Sequence, residues 1–166
     1  MLELVEAVAP YAPLAIFIVS VLDILFLTGL FMYGGTTLGA LSMLYVTGMV
    51  TIPEIVIASL FGTLLGNQIN YWVGRMSHST DFVQRRLANE RTDWAIRFLR
   101  TRGLLLYMIS GNFITFFRPV YGLILGAIKI RWRRFVMYDL LTSSIWVSVW
   151  LSVIIFGEQL WLTLFA

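Results

Sequence analysis

The sequence predicts an all-α integral membrane protein, and three observations carry that prediction. Of its 166 residues, 59% are hydrophobic and only 13% charged, whereas a water-soluble domain of this size needs more polar surface over its core. Aromatic residues make up 15%, with six Trp and seven Tyr, the ring-rich composition of helices anchored at headgroup depth. All twelve Lys and Arg fall between Arg75 and Arg134, an asymmetry that fits a membrane topology.

The N-terminus, MLELVEAVAP, carries Glu3 and Glu6 where a signal peptide needs basic residues, and is read as retained. From Pro13 to Ile52 the only charged residue is Asp23. That run is too long for one span of roughly 20 residues, and Tyr33-Gly34-Gly35-Thr36-Thr37 is weak helix sequence in its middle. Pro53-Glu54 reads as an external surface turn, and Ile55 to Val73 as a full span ending at Gly74-Arg75. Residues 76–102 are polar. Ser79-Thr80-Asp81 has the form of a helix start, Val83, Leu87, Trp94 and Phe98 share a face, and Gly103 suits a helix stop. This segment is expected to be an amphipathic helix on the cytoplasmic surface.

Leu104 to Ile128 is apolar-rich but contains Asn112, Arg118, Pro119, Gly122 and Gly126, with basic clusters on both flanks. A single crossing would put one cluster outside, against the cytoplasmic bias of Lys and Arg. A re-entrant hairpin breaking near Pro119 and Gly122 keeps both inside; its exposed backbone must then be buried in protein or face a wet cavity. Phe135 to Phe156 is the last span, ended by Gly157-Glu158, with 157–166 as an interfacial tail. The chain thus reads as one domain: hairpin plus span (13–74), surface helix (76–102), and a second hairpin plus span (104–156) of opposite direction. Inverted repeats of broken helices are the build of many secondary transporters, with the site where the breaks meet.

Three stretches resemble the DedA family, also called VTT-domain or SNARE-associated Golgi proteins, over about residues 20–160. They are Gly39 and Gly48 followed by FGTLLGNQINYWVGR (Phe61–Arg75); GNFITFFRPVYGLILGAIKIRWRRF (Gly111–Phe135); and Trp146 followed by Gly157. The resemblance implies a bacterial inner-membrane, multi-pass protein with two re-entrant hairpins. It also implies a translocase-type function, returning an anionic lipid carrier such as undecaprenyl phosphate across the membrane, with proton or sodium coupling. The family's signature is an acidic pair twelve apart in the first hairpin and an arginine pair six apart in the second. Here Asp23 stands for the first acid and Gly35 for the other; Asn112 replaces the first arginine, Arg118 matches the second, and Thr115 stands at a usual proline.

The residues themselves leave alternatives. Arg118, deep in an apolar run, needs a partner or a wet cavity. It suits a phosphate by paired hydrogen bonds, or a salt bridge with Asp23 or Asp139. Asp23 alone in hydrocarbon could carry a proton, but beside Arg118 it would stay ionised; the two are expected to meet across the hairpin tips. Asp139 is expected near the cytoplasmic face, paired with a cation at 131–134, with ion coupling as the alternative. Asn112, together with Asn67, Gln68 and Asn70, either lines a polar cavity that binds substrate or hydrogen-bonds between helices. Gly62, Gly66 and Gly74 allow close helix approach.

Several function classes drop out. There is no cysteine, so disulfides and thiolate chemistry are excluded. His78 is the only histidine and has no acidic cluster around it, so neither a metal nor a cofactor is expected. A lipid-phosphatase reading of Arg118-Pro119 lacks its histidines, and Ser143-Ser144 are read as having no base within helical reach. Nucleic acid is not expected as a partner, because each basic group abuts an apolar run. The expected partners are an anionic membrane lipid and either further copies of the chain or other integral membrane proteins. The alternative function is a transport-inactive subunit packed in a larger membrane complex.

Overall fold

The computed structural model describes residues 9–29, 31, 34–76, 97, 99, 103–114 and 117–165, with the backbone alone at 9, 34–36, 38 and 157–165. Most of the expected surface helix over 76–102 lies outside the described residues. Among the described residues all regular structure is helical: α1 (Ala12–Ile24), α2 (Gly34–Val46), α3 (Ile52–Met76), α4 (Leu104–Phe113), α5 (Tyr121–Ala127) and α6 (Trp132–Phe165).

A 3-10 turn, Ala9–Tyr11, leads into α1, where Pro13 sits in the first turn and its missing N–H goes unmissed. The buried residues Ala12, Ile16, Ser20, Asp23 and Ile24 make one face. α2 ends in a glycine stop: Gly48 N–H donates to Tyr45 O (2.9 Å) and Met49 N–H to Leu44 O (3.0 Å). Gly48 has φ 72°, the left-handed conformation that a residue without Cβ adopts freely. Pro53-Glu54 is not a turn but the opening of α3. Glu54 accepts from the Thr51 N–H (2.7 Å) and hydroxyl (2.8 Å), so the glutamate side chain reaches back to satisfy the N–H just ahead of the helix, one half of a capping box.

α3 is the central element. Its 25 residues span about 37 Å at 1.5 Å each, enough to cross a hydrocarbon core of about 30 Å. Its buried side includes Ile55, Ser59, Gly62, Thr63, Gly66, Asn67, Asn70, Tyr71 and Gly74. The expected close approaches are present: a Cβ on Gly62 or Gly66 would collide with Phe17, Ser20 or Ile24 of α1, and one on Gly74 with the Leu123 backbone of α5. The opposite stripe, Ile57, Phe61, Leu65, Ile69 and Trp72, is exposed. α6 repeats this pattern with Met137, Leu140, Leu141, Ile145, Val149, Val153 and Phe156. Such stripes would be a liability in water and are the natural lining against lipid.

Two helices, Ile52–Met76 and Trp132–Phe156, are long and apolar enough to cross a membrane. A broken segment precedes each of them: α1 and α2, ahead of α3, have 13 residues each, and α4 and α5, ahead of α6, have 10 and only 7, all short of a crossing. The first break follows Ile24, ahead of the expected Tyr33–Thr37, which instead straddles the start of α2 at Gly34. The second occupies the residues between Phe113 and Tyr121, before Gly122. α6 runs on through Gly157-Glu158 to Phe165, so the residues expected to form a separate tail continue the helix. One helical glycine costs only about 1 kcal/mol, and the leucine-rich residues beyond it carry the helix on.

Two apolar clusters hold the halves. Ala12, Ile16, Val50, Ile55 and Ala58 pack in the first; Tyr71, Tyr107, Met108, Tyr121, Ile124, Leu125 and Phe135 in the second. Tyr71 of α3 stacks on Phe135 of α6 with centroids 4.5 Å apart.

Candidate functional site

The two breaks meet against α3, and one residue fastens both. Asn70 accepts from the Phe26 N–H (3.0 Å) and donates to the carbonyls of Ile24 (2.7 Å) and Pro119 (3.1 Å). Backbone groups freed where a helix stops must find partners away from water; here a single buried amide serves both breaks. Of the two readings of Asn67, Gln68 and Asn70, hydrogen bonding between elements is the one realised.

The same convergence brings Asp23 and Arg118 together. Asp23 stands in the last turn of α1 and Arg118 in the break before α5, 4% and 6% exposed. Arg118 Nη1 donates to Asp23 Oδ2. The guanidinium carbon lies 3.8 Å from the centre of the Trp146 ring on α6, a cation–π contact. Arg118 Nε has no hydrogen-bond partner among the described residues. The expected meeting across the two breaks is thus realised, and the partner is Asp23 rather than Asp139. Trp146 was legible only as part of the family resemblance, because nothing in its spacing announces a cation one layer away.

Asp139 corrects the expected interfacial ion pair. It is 0% exposed and no cation among the described residues reaches it. Its carboxylate accepts from Asn67 Nδ2 (2.7 Å), Gln68 Nε2 (3.2 Å), Tyr121 OH (3.2 Å) and Ser143 Oγ (3.3 Å). Helical period is the reason. Phe135, Asp139, Thr142, Ser143 and Val147 share the buried face of α6, whereas Arg131, Arg133 and Arg134 are exposed at its start. Ser143 therefore does have a carboxylate within helical reach, one turn back, contrary to the expectation. That carboxylate also accepts from side chains of α3 and α5, so it ties three helices together.

Asn112, at 2% exposure, joins this network rather than the Asp23–Arg118 pair: Tyr121 OH lies 3.5 Å from its Oδ1. Tyr121 has one hydrogen and sits between two acceptors, while Asn112 Nδ2 has no partner among the described residues. Turning the Asn112 amide over would let it donate to Tyr121 and free the phenol hydrogen for Asp139. The four singled-out residues thus fall into two adjoining sets, Asp23–Arg118 and Asn112–Asp139, linked through the α4–α5 segment. No group of three or more His, Cys, Asp or Glu suited to a metal occurs among the described residues.

Comparison with known proteins places this geometry. The model of the VTT domain matches residues 9–156, taking in both broken segments and both long helices. An uncharacterized membrane protein of Synechocystis sp. is 24% identical over 116 residues, covering 66% of this chain and 52% of that protein. The chain therefore spans about half the length of that relative. No solved structure matches. With the family model covering both breaks, the Asp23–Arg118 pair and the two long apolar helices, the chain belongs to the VTT-domain, or DedA, family of membrane proteins.

Proposed function

We propose that this protein moves an anionic lipid phosphate, such as undecaprenyl phosphate, between the leaflets of a bacterial inner membrane, with the two broken segments as re-entrant hairpins. The observation that carries the reading is Arg118: a buried guanidinium, held by Asp23 and Trp146 where the breaks converge, with Nε unpartnered. A buried arginine is a strong phosphate ligand because it offers paired donors. Asp23 is then the internal anion that a lipid phosphate displaces. Exchange of one anion for another avoids leaving an uncompensated charge in the interior, which is the expensive alternative. Asn112 and Asp139 act beside it as the polar packing of the second hairpin, and Asp139, which accepts four hydrogen bonds without a cation, is the group suited to ion coupling. No catalysis is assigned.

Proteoliposomes carrying undecaprenyl phosphate test the reading. Arg118→Ala is expected to reduce translocation at least tenfold, and Arg118→Lys to recover part of it. Unchanged transport in Arg118→Ala rejects the mechanism.

One observation favours a second reading, a transport-inactive subunit of a larger membrane assembly. Asp23 already occupies Arg118, and the positions of the family's second acid and first arginine hold Gly35 and Asn112. On that reading the pair is a structural clasp. Mild-detergent purification would then return fixed-stoichiometry protein partners instead of bound lipid.

A further inference from the structure

A cleft separate from the Asp23–Arg118 pair opens between α2, α3 and α6. Thr37 and Leu41 line it from α2, Ile55 and Ser59 from α3, and Trp146, Val147, Trp150, Leu151 and Ile154 from α6. Among the described residues no ionisable side chain lines it. Yet three of its polar atoms, Thr37 Oγ1, Ser59 Oγ and Trp150 Nε1, are buried and without a hydrogen-bond partner among the described residues.

Thr63 Oγ1 and Tyr107 OH are likewise buried and unpartnered among the described residues, but the hydroxyls along α6 behave differently. Ser144, Ser148 and Ser152 of α6 each donate to the carbonyl one turn back, at 2.7, 2.8 and 2.8 Å. That bond is always within reach of a helical serine. Ser59, 5% exposed, makes no such bond. A buried polar atom left single is rare and asks for a partner, and here three surround one apolar cleft.

The donors define the occupant. An indole N–H only donates, so the ligand must present an acceptor; hydroxyls either donate or accept. An uncharged lining disfavours a phosphate or an ammonium. The remaining lining is two indoles and five aliphatic side chains, suited to hydrocarbon. Ser59 lies about 10 Å from the start of α3 by helical rise, just inside the apolar layer. We infer that the α2–α3–α6 cleft is a binding site for the ester-linked neck of an acyl lipid, its ester oxygens accepting from Trp150 Nε1 and from the Ser59 and Thr37 hydroxyls, its chain lying along Leu151 and Ile154. Trp146 forms the wall between this cleft and Arg118, so the two sites adjoin without sharing a polar contact.

The test is native mass spectrometry of the intact protein with two probes of identical head group and chain length, a diacyl and a diether phosphatidylglycerol. The wild type is expected to retain the diacyl lipid roughly fivefold better, the worth of about one net hydrogen bond. Trp150→Phe keeps the ring and loses the N–H; it should lower that ratio while still binding both lipids, the hydroxyls accounting for what remains. Ser59→Ala, a mild helix substitution, gives a second reading should Trp150→Phe fail to fold. Arg118→Gln should leave the diacyl-to-diether ratio intact, so failure of the phosphate reading is seen separately, in the preference for phosphatidylglycerol over phosphatidylcholine. Equal retention of the two probes by the wild type, or an unchanged ratio in both cleft variants, overturns the site and leaves only water there.

Discussion

The two halves of the molecule use the same stop between a short helix and a long one, with different residues. In the first half Gly48 takes the left-handed position, φ 72°, between α2 and α3. In the second half Lys129 takes it, φ 58°, between α5 and α6, and the bonds match: Lys129 N–H to Gly126 O (2.9 Å) and Ile130 N–H to Leu125 O (3.1 Å). Both are the paired return bonds of a helix C-terminus that satisfy its last carbonyls. A side chain in that conformation costs of order 1 kcal/mol, so Lys129 must be held by its surroundings. It is: the Ile130 carbonyl accepts from Tyr71 OH (2.5 Å) and Arg75 Nη1 (3.3 Å) of α3. A lysine also suits the negative end of a helix. The glycine loop needs no such fastening. Local geometry is thus repeated while its enforcement differs, by intrinsic freedom in one half and by tertiary bonds in the other.

The halves differ likewise in their charges. The first break supplies an acid and the second an arginine, and each is tolerable only because the other is there. Arg118→Ala should therefore give the largest loss, about 3–5 kcal/mol, since it leaves Asp23 buried and uncompensated. Asp23→Asn should be similar in size. The double variant Asp23→Asn/Arg118→Gln should lose clearly less than the sum, a coupling measurable by thermal unfolding in detergent micelles; simple additivity would show that the halves are not clasped by charge.

A smaller effect is expected at Asn70, which serves both breaks from a third helix. Asn70→Ala leaves the Phe26 N–H and the Ile24 and Pro119 carbonyls without their side-chain partner, at about 1–3 kcal/mol, and should raise hydrogen exchange at Phe26. The smallest effects belong to the two stops. Gly48→Ala should destabilise by about 1 kcal/mol and Lys129→Gly should stabilise by about 0.5–1 kcal/mol. Equal and opposite shifts in unfolding midpoint would confirm that one geometry is enforced twice; loss of stability in Lys129→Gly would show that the cation matters more than the backbone.

The sequence by itself determined what depends on composition and on short repeats. Apolar runs, clustered bases and scattered breakers predict helices, two long spans and two interruptions, because hydrocarbon tolerates few alternatives. The small residues of α3 predict close packing, and Asp23 and Arg118 are conspicuous because lone charges in apolar runs demand partners. The family, too, was legible in Phe61–Arg75 and Gly111–Phe135. Tertiary structure decided the partners. Whether Asp139 faced the basic loop or the core turned on its phase along α6, which a string of apolar residues on all sides conceals. That phase sends it to Asn67, Gln68, Tyr121 and Ser143 and leaves Arg118 to Asp23. The stacking of Trp146 on Arg118 and the unpaired donors around Ser59 are likewise invisible in sequence, because they depend on which faces of three helices meet. Spacing along a chain predicts faces; only packing says what each face touches.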